Sequence, residues 1–178
     1  MRNAVIFLGL LLCSFFTSAQ DAPKIGSEKG VKEKLLKIKK SLPDFKKNLA
    51  VRDPLYTEEK KYNVKMQMGN GLIFFDESND TRQSLSITFS GPIYFSGSMD
   101  DFKNYYKQLA DMLKDIFKDT HTAEEKNTQK GWYMTFVENG KESWKSPTKI
   151  ILEMDWLFNK PYIKLVFFTY PSGKMPNG

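Results

Sequence analysis

The residues able to do chemistry are few, and their spacing excludes most of it. The chain has one histidine, His121, and one cysteine, Cys13. A nucleophilic triad needs a histidine beside an activated serine and a carboxylate. No Gly-x-Ser-x-Gly elbow is present, and His121 stands in a polar stretch beside Asp119 and Thr120, which reads as an exposed loop. Cys13 lies inside an apolar N-terminal run, so the rest of the chain has no disulfide, thiol nucleophile or cysteine metal site. Zinc would have to rely on carboxylates, which it does not favour. Asp76-Glu77-Ser78-Asn79-Asp80 resembles the start of a calcium loop, but Thr81 stands at the glycine position and Ile87 at the closing glutamate position. A solvated turn between strands is expected there. No phosphate loop or dinucleotide fingerprint occurs.

Paired carboxylates are what remains. Asp111, Asp115 and Asp119 recur four apart, interleaved with Lys107, Lys114 and Lys118, which is the pattern of ion pairing on a wet helix face. Glu153 and Asp155 project from one face of a strand. With a two-residue turn at Asn159-Lys160, Asp155 stands opposite Lys164 as a cross-strand ion pair. Neither set calls for a catalytic acid. No catalytic residue, metal or cofactor is expected.

The first residues carry an address. Arg2 precedes a continuous apolar run from Ala4 to Phe16, and Thr17-Ser18-Ala19 closes it with small residues. A charged start, an apolar stretch and a small-residue cleavage site define a signal peptide at residues 1–19. The run is short for a membrane span. Leu12 before Cys13 argues against a lipoprotein signal. Residues 20–28 read as a flexible leader, 29–170 as a single domain and 171–178 as a tail. An exported domain without disulfides suits a bacterial envelope, in the periplasm or outside the cell. The net charge of +6 keeps such a chain soluble.

The elements follow from periodicity. Val31, Leu35, Ile38, Leu42, Phe45 and Leu49 form an apolar stripe at helical spacing. Pro43 either kinks this helix or ends it near Ser41, with a short second helix carrying Pro43 in its first turn. Its other side is crowded with lysines. Tyr62, Val64, Met66 and Met68 alternate as a strand, and Asn70-Gly71 turns it into a return at Leu72 to Phe75. Asp76 to Arg82 reads as a loop. Ser84 to Phe89 alternates again. Ser98 caps a second long helix, from about Met99 to Lys118, with an acid three residues on. Asp119 to Lys130 reads as a polar connection. Trp132 to Val137 and Lys141 to Lys145 flank Asn139-Gly140 as one hairpin, and Lys149 to Leu157 and Tyr162 to Tyr170 form the last.

This order gives an α+β fold: an antiparallel sheet built from hairpins, with two helices packed on one face. The recurrence of Asn-Gly, Phe89 with Phe158 and Pro92 with Pro161 at a spacing of 69 raises a tandem α-β-β-β repeat. One sheet face, with Trp132, Met134, Phe136, Ile150, Leu152, Met154, Trp156, Ile163, Leu165 and Phe167, is apolar throughout. The other is mixed but aromatic. Tyr133, Val137, Trp144, Tyr162, Phe168 and Tyr170 mark it as the candidate binding face, since a face turned to water alternates more cleanly. The expected function is a non-enzymatic binding or interaction domain of the envelope. Its partner is an envelope protein, glycan or lipid, and the export signal disfavours nucleic acid. Two alternatives stand beside it: a hydrolase using Asp or Glu, and a homo-oligomeric structural component. Peripheral membrane contact through the lysine-rich first helix is a further reading, set against core packing of its stripe.

Overall fold

The computed structural model describes residues 28–52, 61–64, 66, 68, 72–78, 82–90, 98–128, 131–157 and 160–172. The segment expected to be a signal, most of the expected leader, Asn70-Gly71 and the end of the expected tail lie outside them.

Helix α1 (Glu28–Ser41) buries Val31, Leu35 and Ile38 almost completely, as its stripe requires. It ends before Pro43. Asp44 then caps α2 (Phe45–Leu49), its Oδ1 accepting the Lys47 N–H at 3.0 Å. Pro43 therefore precedes the second helix and is not part of its first turn. An aspartate cap satisfies a free N–H group that proline could not serve. The chain continues through β1 (Ala50–Arg52), β2 (Lys61–Val64), β3 (Leu72–Ser78) and β4 (Arg82–Ser90). Helix α3 (Met99–Phe117) is capped by Ser98, whose hydroxyl accepts the Asp101 N–H at 3.1 Å. The second set of strands is β5 (His121–Asn127), β6 (Trp132–Glu138), β7 (Thr148–Leu157) and β8 (Lys160–Thr169).

The fold is α+β. The eight strands form one sheet in the order β1-β2-β3-β4-β8-β7-β6-β5, and every neighbouring pair is antiparallel. Each half of the chain is helical first, then a four-strand meander, and the two final strands meet at the centre. The repeat is thus one of topology, with one more strand per unit than expected. Asn139-Gly140 falls between β6 and β7, as Asn70-Gly71 falls between β2 and β3. The fixed offset of 69 does not hold, because β3 begins at Leu72 and β7 at Thr148, and β4 begins at Arg82 and β8 at Lys160.

Among the described residues three helices, not two, lie on one face. Their buried residues form a single cluster with Leu85, Ile87, Phe89, Met134, Phe136, Ile150, Leu152, Met154, Ile163, Leu165 and Phe167. Met66 and Met68 join it, and Tyr62 and Val64 pack at its edge. Gln83 ties helix to sheet. Its amide nitrogen donates to Asp44 Oδ1 at 3.1 Å, and its Oε1 accepts the Lys46 N–H at 3.1 Å. A buried amide held by both ends is a satisfied one.

Four expectations are corrected here. The stretch from Asp119 to Lys130 contains the edge strand β5, paired from His121↔Glu138 to Asn127↔Trp132. Most of β5 is exposed, so it carries no apolar alternation to betray it. Lys141 to Lys145 is no strand; it winds through turns, and β7 takes its expected place beside β6. Asp76-Glu77-Ser78 belongs to β3, in register with Ser84, Gln83 and Arg82, so these residues are strand and not part of the loop expected from Asp76 to Arg82. The β7–β8 connection holds residues 158 and 159, one step earlier than expected, so Glu153, not Asp155, stands opposite Lys164. A shift of one residue at each end preserves the parity, so the two faces keep the expected membership.

Candidate functional site

The sheet's second face is built in rows across β6, β7, β8 and β4. Register places Tyr133 beside Glu153, Glu153 beside Lys164 and Lys164 beside Thr88. The next rows are Thr135, Ile151, Val166 and Ser86, then Val137, Lys149, Phe168 and Ser84. Asp155 and Tyr162 pair at the opposite end. Val137 and Val166 are buried, and the other side chains of these rows are half-buried. None of them belongs to the cluster that the helices cover.

Two tyrosine–carboxylate pairs organise this face. Tyr133 Oη donates to Asp155 Oδ2 at 2.6 Å, and Tyr162 Oη donates to Glu153 Oε1 at 3.0 Å. The Asp155 hydrogen bond pushes the Tyr133 phenol up to about 12. Burial, with Glu153 next to it, pushes Tyr162 up to about 12 as well. Both hydroxyls therefore remain donors across the physiological range. Gly131 makes room for this. A Cβ there would lie 2.6 Å from the Met154 carbonyl oxygen and 3.2 Å from Tyr133 Oη. At the other end the Arg82 guanidinium lies over the Phe168 ring, 5.1 Å from its centroid.

Of the candidate residues, Tyr133, Val137, Tyr162 and Phe168 lie on this face. Tyr170 follows β8 in the same alternation and is half-buried, its N–H bonded to the Pro147 carbonyl at 3.2 Å. Trp144 is the correction. It lies in the loop from residue 139 to 147, off the sheet, and is 67% exposed. Lys145 Nζ sits over its ring at 4.3 Å. The loop is firmly built. Gly140 turns it with φ of 73°, the Lys141 N–H bonds the Glu138 carbonyl at 3.0 Å, and Ser146 Oγ accepts the Glu138 N–H at 3.0 Å while donating to the Thr148 carbonyl. The stretch Lys141 to Lys145 has one apolar residue and no alternation, so nothing recruits it to the sheet.

A second concavity was not legible in the sequence. A cavity of about 370 Å³ opens where α1, α3 and β5 meet, lined by Lys39, Leu42, Phe117, Thr120, His121, Glu138 and Asn139. His121 is 7% exposed and belongs to a strand, which corrects its reading as a solvent-exposed loop residue. Its Nδ1 meets Thr120 Oγ1 at 2.8 Å, and its ring packs edge-on against Phe117 at 5.4 Å. Burial lowers its pKa; Glu138 and the Thr148 carbonyl oppose this and Lys39 adds to it. Lys39 donates to the Ile116 carbonyl at the end of α3. The cavity offers a single carboxylate, Glu138, whose Oε1 accepts the Thr148 N–H at 3.1 Å. Among the described residues no group of three or more His, Cys, Asp or Glu side chains could hold a metal ion.

The lysine-rich side of α1 points away from the core. Lys32 reaches Asp115 at 2.8 Å, and this ammonium, with Lys118, holds Asp115 below the usual carboxylate range. Val31, Leu35 and Ile38 face the core, while Leu36 is exposed beside the lysines.

No protein-family model matches the chain, and no curated protein sequence does. Among solved structures, the solution structure of cyanobacterial PsbP (CyanoP) from Synechocystis sp. PCC 6803 is similar over 63% of this chain and 69% of that one, at 13% identity and a TM-score of 0.34.

Proposed function

We propose that the chain is an exported, non-enzymatic binding domain of the bacterial envelope, and that the second sheet face is its working surface. The observation that carries this is an asymmetry. The three helices among the described residues gather on one face, while the other presents Tyr133, Tyr162, Phe168 and Tyr170 half-buried around a polar framework. Aromatic rings held by hydrogen bonds are a common form of anchor at binding surfaces. The address in residues 1–19 supports export, and no helix among the described residues is long and apolar enough to cross a membrane. The carboxylates of the face are hydrogen-bonded by tyrosines on an open surface, which favours binding over hydrolysis in a cleft.

The test is retention on isolated envelopes of the producing bacterium. The mature protein should co-sediment with them. The double variant Tyr162→Ala/Phe168→Ala should lose at least 1.4 kcal/mol, about tenfold in affinity, while still folding cooperatively at the temperature of the assay. Asp111→Asn on α3 should bind normally. Equal retention of the double variant and the wild type would remove the second face as the working surface.

A further inference from the structure

We infer that the cavity where α1, α3 and β5 meet is a second binding site, and that its ligand is a zwitterionic amino acid with an apolar side chain. This site is separate from the second sheet face and stands without it. The cavity has about 370 Å³, the scale of a small-molecule site. Two of its lining residues are charged at neutral pH, Lys39 and Glu138. His121 adds no charge there, because burial lowers its pKa. Among the described residues neither Lys39 nor Glu138 forms an ion pair. Backbone groups tether them instead. Lys39 Nζ donates to the Ile116 carbonyl of α3, and Glu138 Oε1 accepts the Thr148 N–H of β7 at 3.1 Å. Both tethers leave capacity unused. The ammonium has three N–H groups and gives one to Ile116, and the carboxylate keeps its second oxygen. Asn139 adds a donor beside them. Its Oδ1 accepts the Thr122 hydroxyl at 2.8 Å, which leaves the amide N–H groups for a ligand.

These groups select the ligand by what each alternative leaves unanswered. A simple anion suits Lys39 and Asn139 but meets Glu138 with like charge. A simple cation suits Glu138 but meets Lys39 with like charge. A neutral apolar molecule strips water from both half-buried charges and returns nothing to them. An amino acid answers both at once. Its carboxylate takes N–H groups from Lys39 and Asn139, and its ammonium donates to the free Glu138 oxygen. Leu42 and Phe117 supply an apolar wall for its side chain. A quaternary ammonium does not fit in its place. It has no N–H for Glu138, and the Phe117 ring is already faced by Lys39 Nζ, 5.5 Å from its centroid.

The experiment reads His121, the one histidine of the chain, by NMR of the mature protein at neutral pH. L-leucine should shift its imidazole resonances saturably. Isocaproate is leucine without the ammonium, and isoamylamine is leucine without the carboxylate. Each should bind at least tenfold more weakly than leucine. Glu138→Gln keeps an oxygen for the Thr148 N–H and should erase the preference for leucine over isocaproate. Lys39→Gln should erase the preference over isoamylamine. Tyr162→Ala/Phe168→Ala should bind leucine within twofold of the wild type, which keeps this result apart from the fate of the second face. The ligand series on the wild type decides the matter even where a variant does not fold. No saturable shift at about 10 mM leucine, beyond the millimolar end of the affinity scale, overturns the inference. Isocaproate or isoamylamine binding as tightly as leucine also overturns it, in favour of a plain anion or cation site. Tighter binding of glycerophosphoethanolamine than of leucine overturns it in favour of a lipid head group. A variant that weakens all three ligands alike acts on the fold and overturns the pairing assigned to that residue.

Discussion

Tyr133 and Tyr162 show how much of the site depends on a single pairing step. Each donates to a carboxylate on β7, and each is pushed up to about 12, Tyr133 first by its hydrogen bond to Asp155 and Tyr162 first by burial. Ultraviolet titration should therefore show two phenols ionising about two units above the ordinary value of 10.0. Asp155→Asn should bring the Tyr133 step back down and leave Tyr162 less affected. The face membership of these residues was legible because alternation survives a shifted turn. Their partners were not, because the choice between a turn at residues 159–160 and one at 158–159 decides which carboxylate meets Lys164. His121 was misread for a different reason. Its neighbours Asp119 and Thr120 are polar and exposed, and only the long-range pairing of β5 with β6 draws its ring beneath the helices. Folding lowers its pKa below 6.5, so the fold accepts the neutral ring. Its contribution is constant above the unfolded-state value and turns unfavourable as the pH falls through 6.5 toward the folded value. Denaturant melts at pH 7.5 and 5 should show this loss, and His121→Gln should reduce it. An equal loss in the variant would place the pH dependence elsewhere.

At the scale of elements, the long helices were legible and the edge was not. α1 and α3 announce themselves through stripes that must face a core, and Ser98 through its cap. Leu35 and Ile38 are fully buried, so Leu35→Ala or Ile38→Ala should cost about 2–5 kcal/mol in chemical denaturation. Exchanging Lys34 or Lys37 for Gln should cost almost nothing. Gln83 gives a sharper test of how the helices are held. Replacing it with Ala removes partners from Asp44 and from the Lys46 N–H at once, and should cost about 1–3 kcal/mol. Gly131 bears on β6 in the same way. With the Met154 carbonyl 2.6 Å from any added Cβ, Gly131→Ala forces two adjacent strands apart and should lower both the melting temperature and retention on envelopes. β5 offered no such signal. An edge strand with Glu124, Glu125 and Lys126 at its heart resists pairing with other chains, and the same charges disguise it as a loop.

The whole molecule is two helix-and-meander halves joined along β4 and β8. The alternating strands and the Asn-Gly turns made an antiparallel sheet legible, and the lack of strand–helix–strand alternation excluded a parallel one. The strand order across the centre was not legible, because no local pattern tells β4 that its neighbour is the last strand of the chain. That seam has a kinetic consequence. Every other pairing joins strands consecutive in sequence, so each meander closes through short loops, whereas Leu85 and Ile87 must find Phe167 and Leu165 from the far end of the polypeptide. Closing that distance carries most of the contact order of the fold, and contacts of high sequence separation govern folding rates. Formation of the seam is therefore expected to limit the folding rate. Leu165→Ala should slow refolding in stopped-flow experiments roughly in proportion to its loss of stability, while Met134→Ala, within a meander, should act mainly by speeding unfolding. The chain reaches its barrier only when its last strand arrives. Until then β4 presents an open edge, a hazard during synthesis.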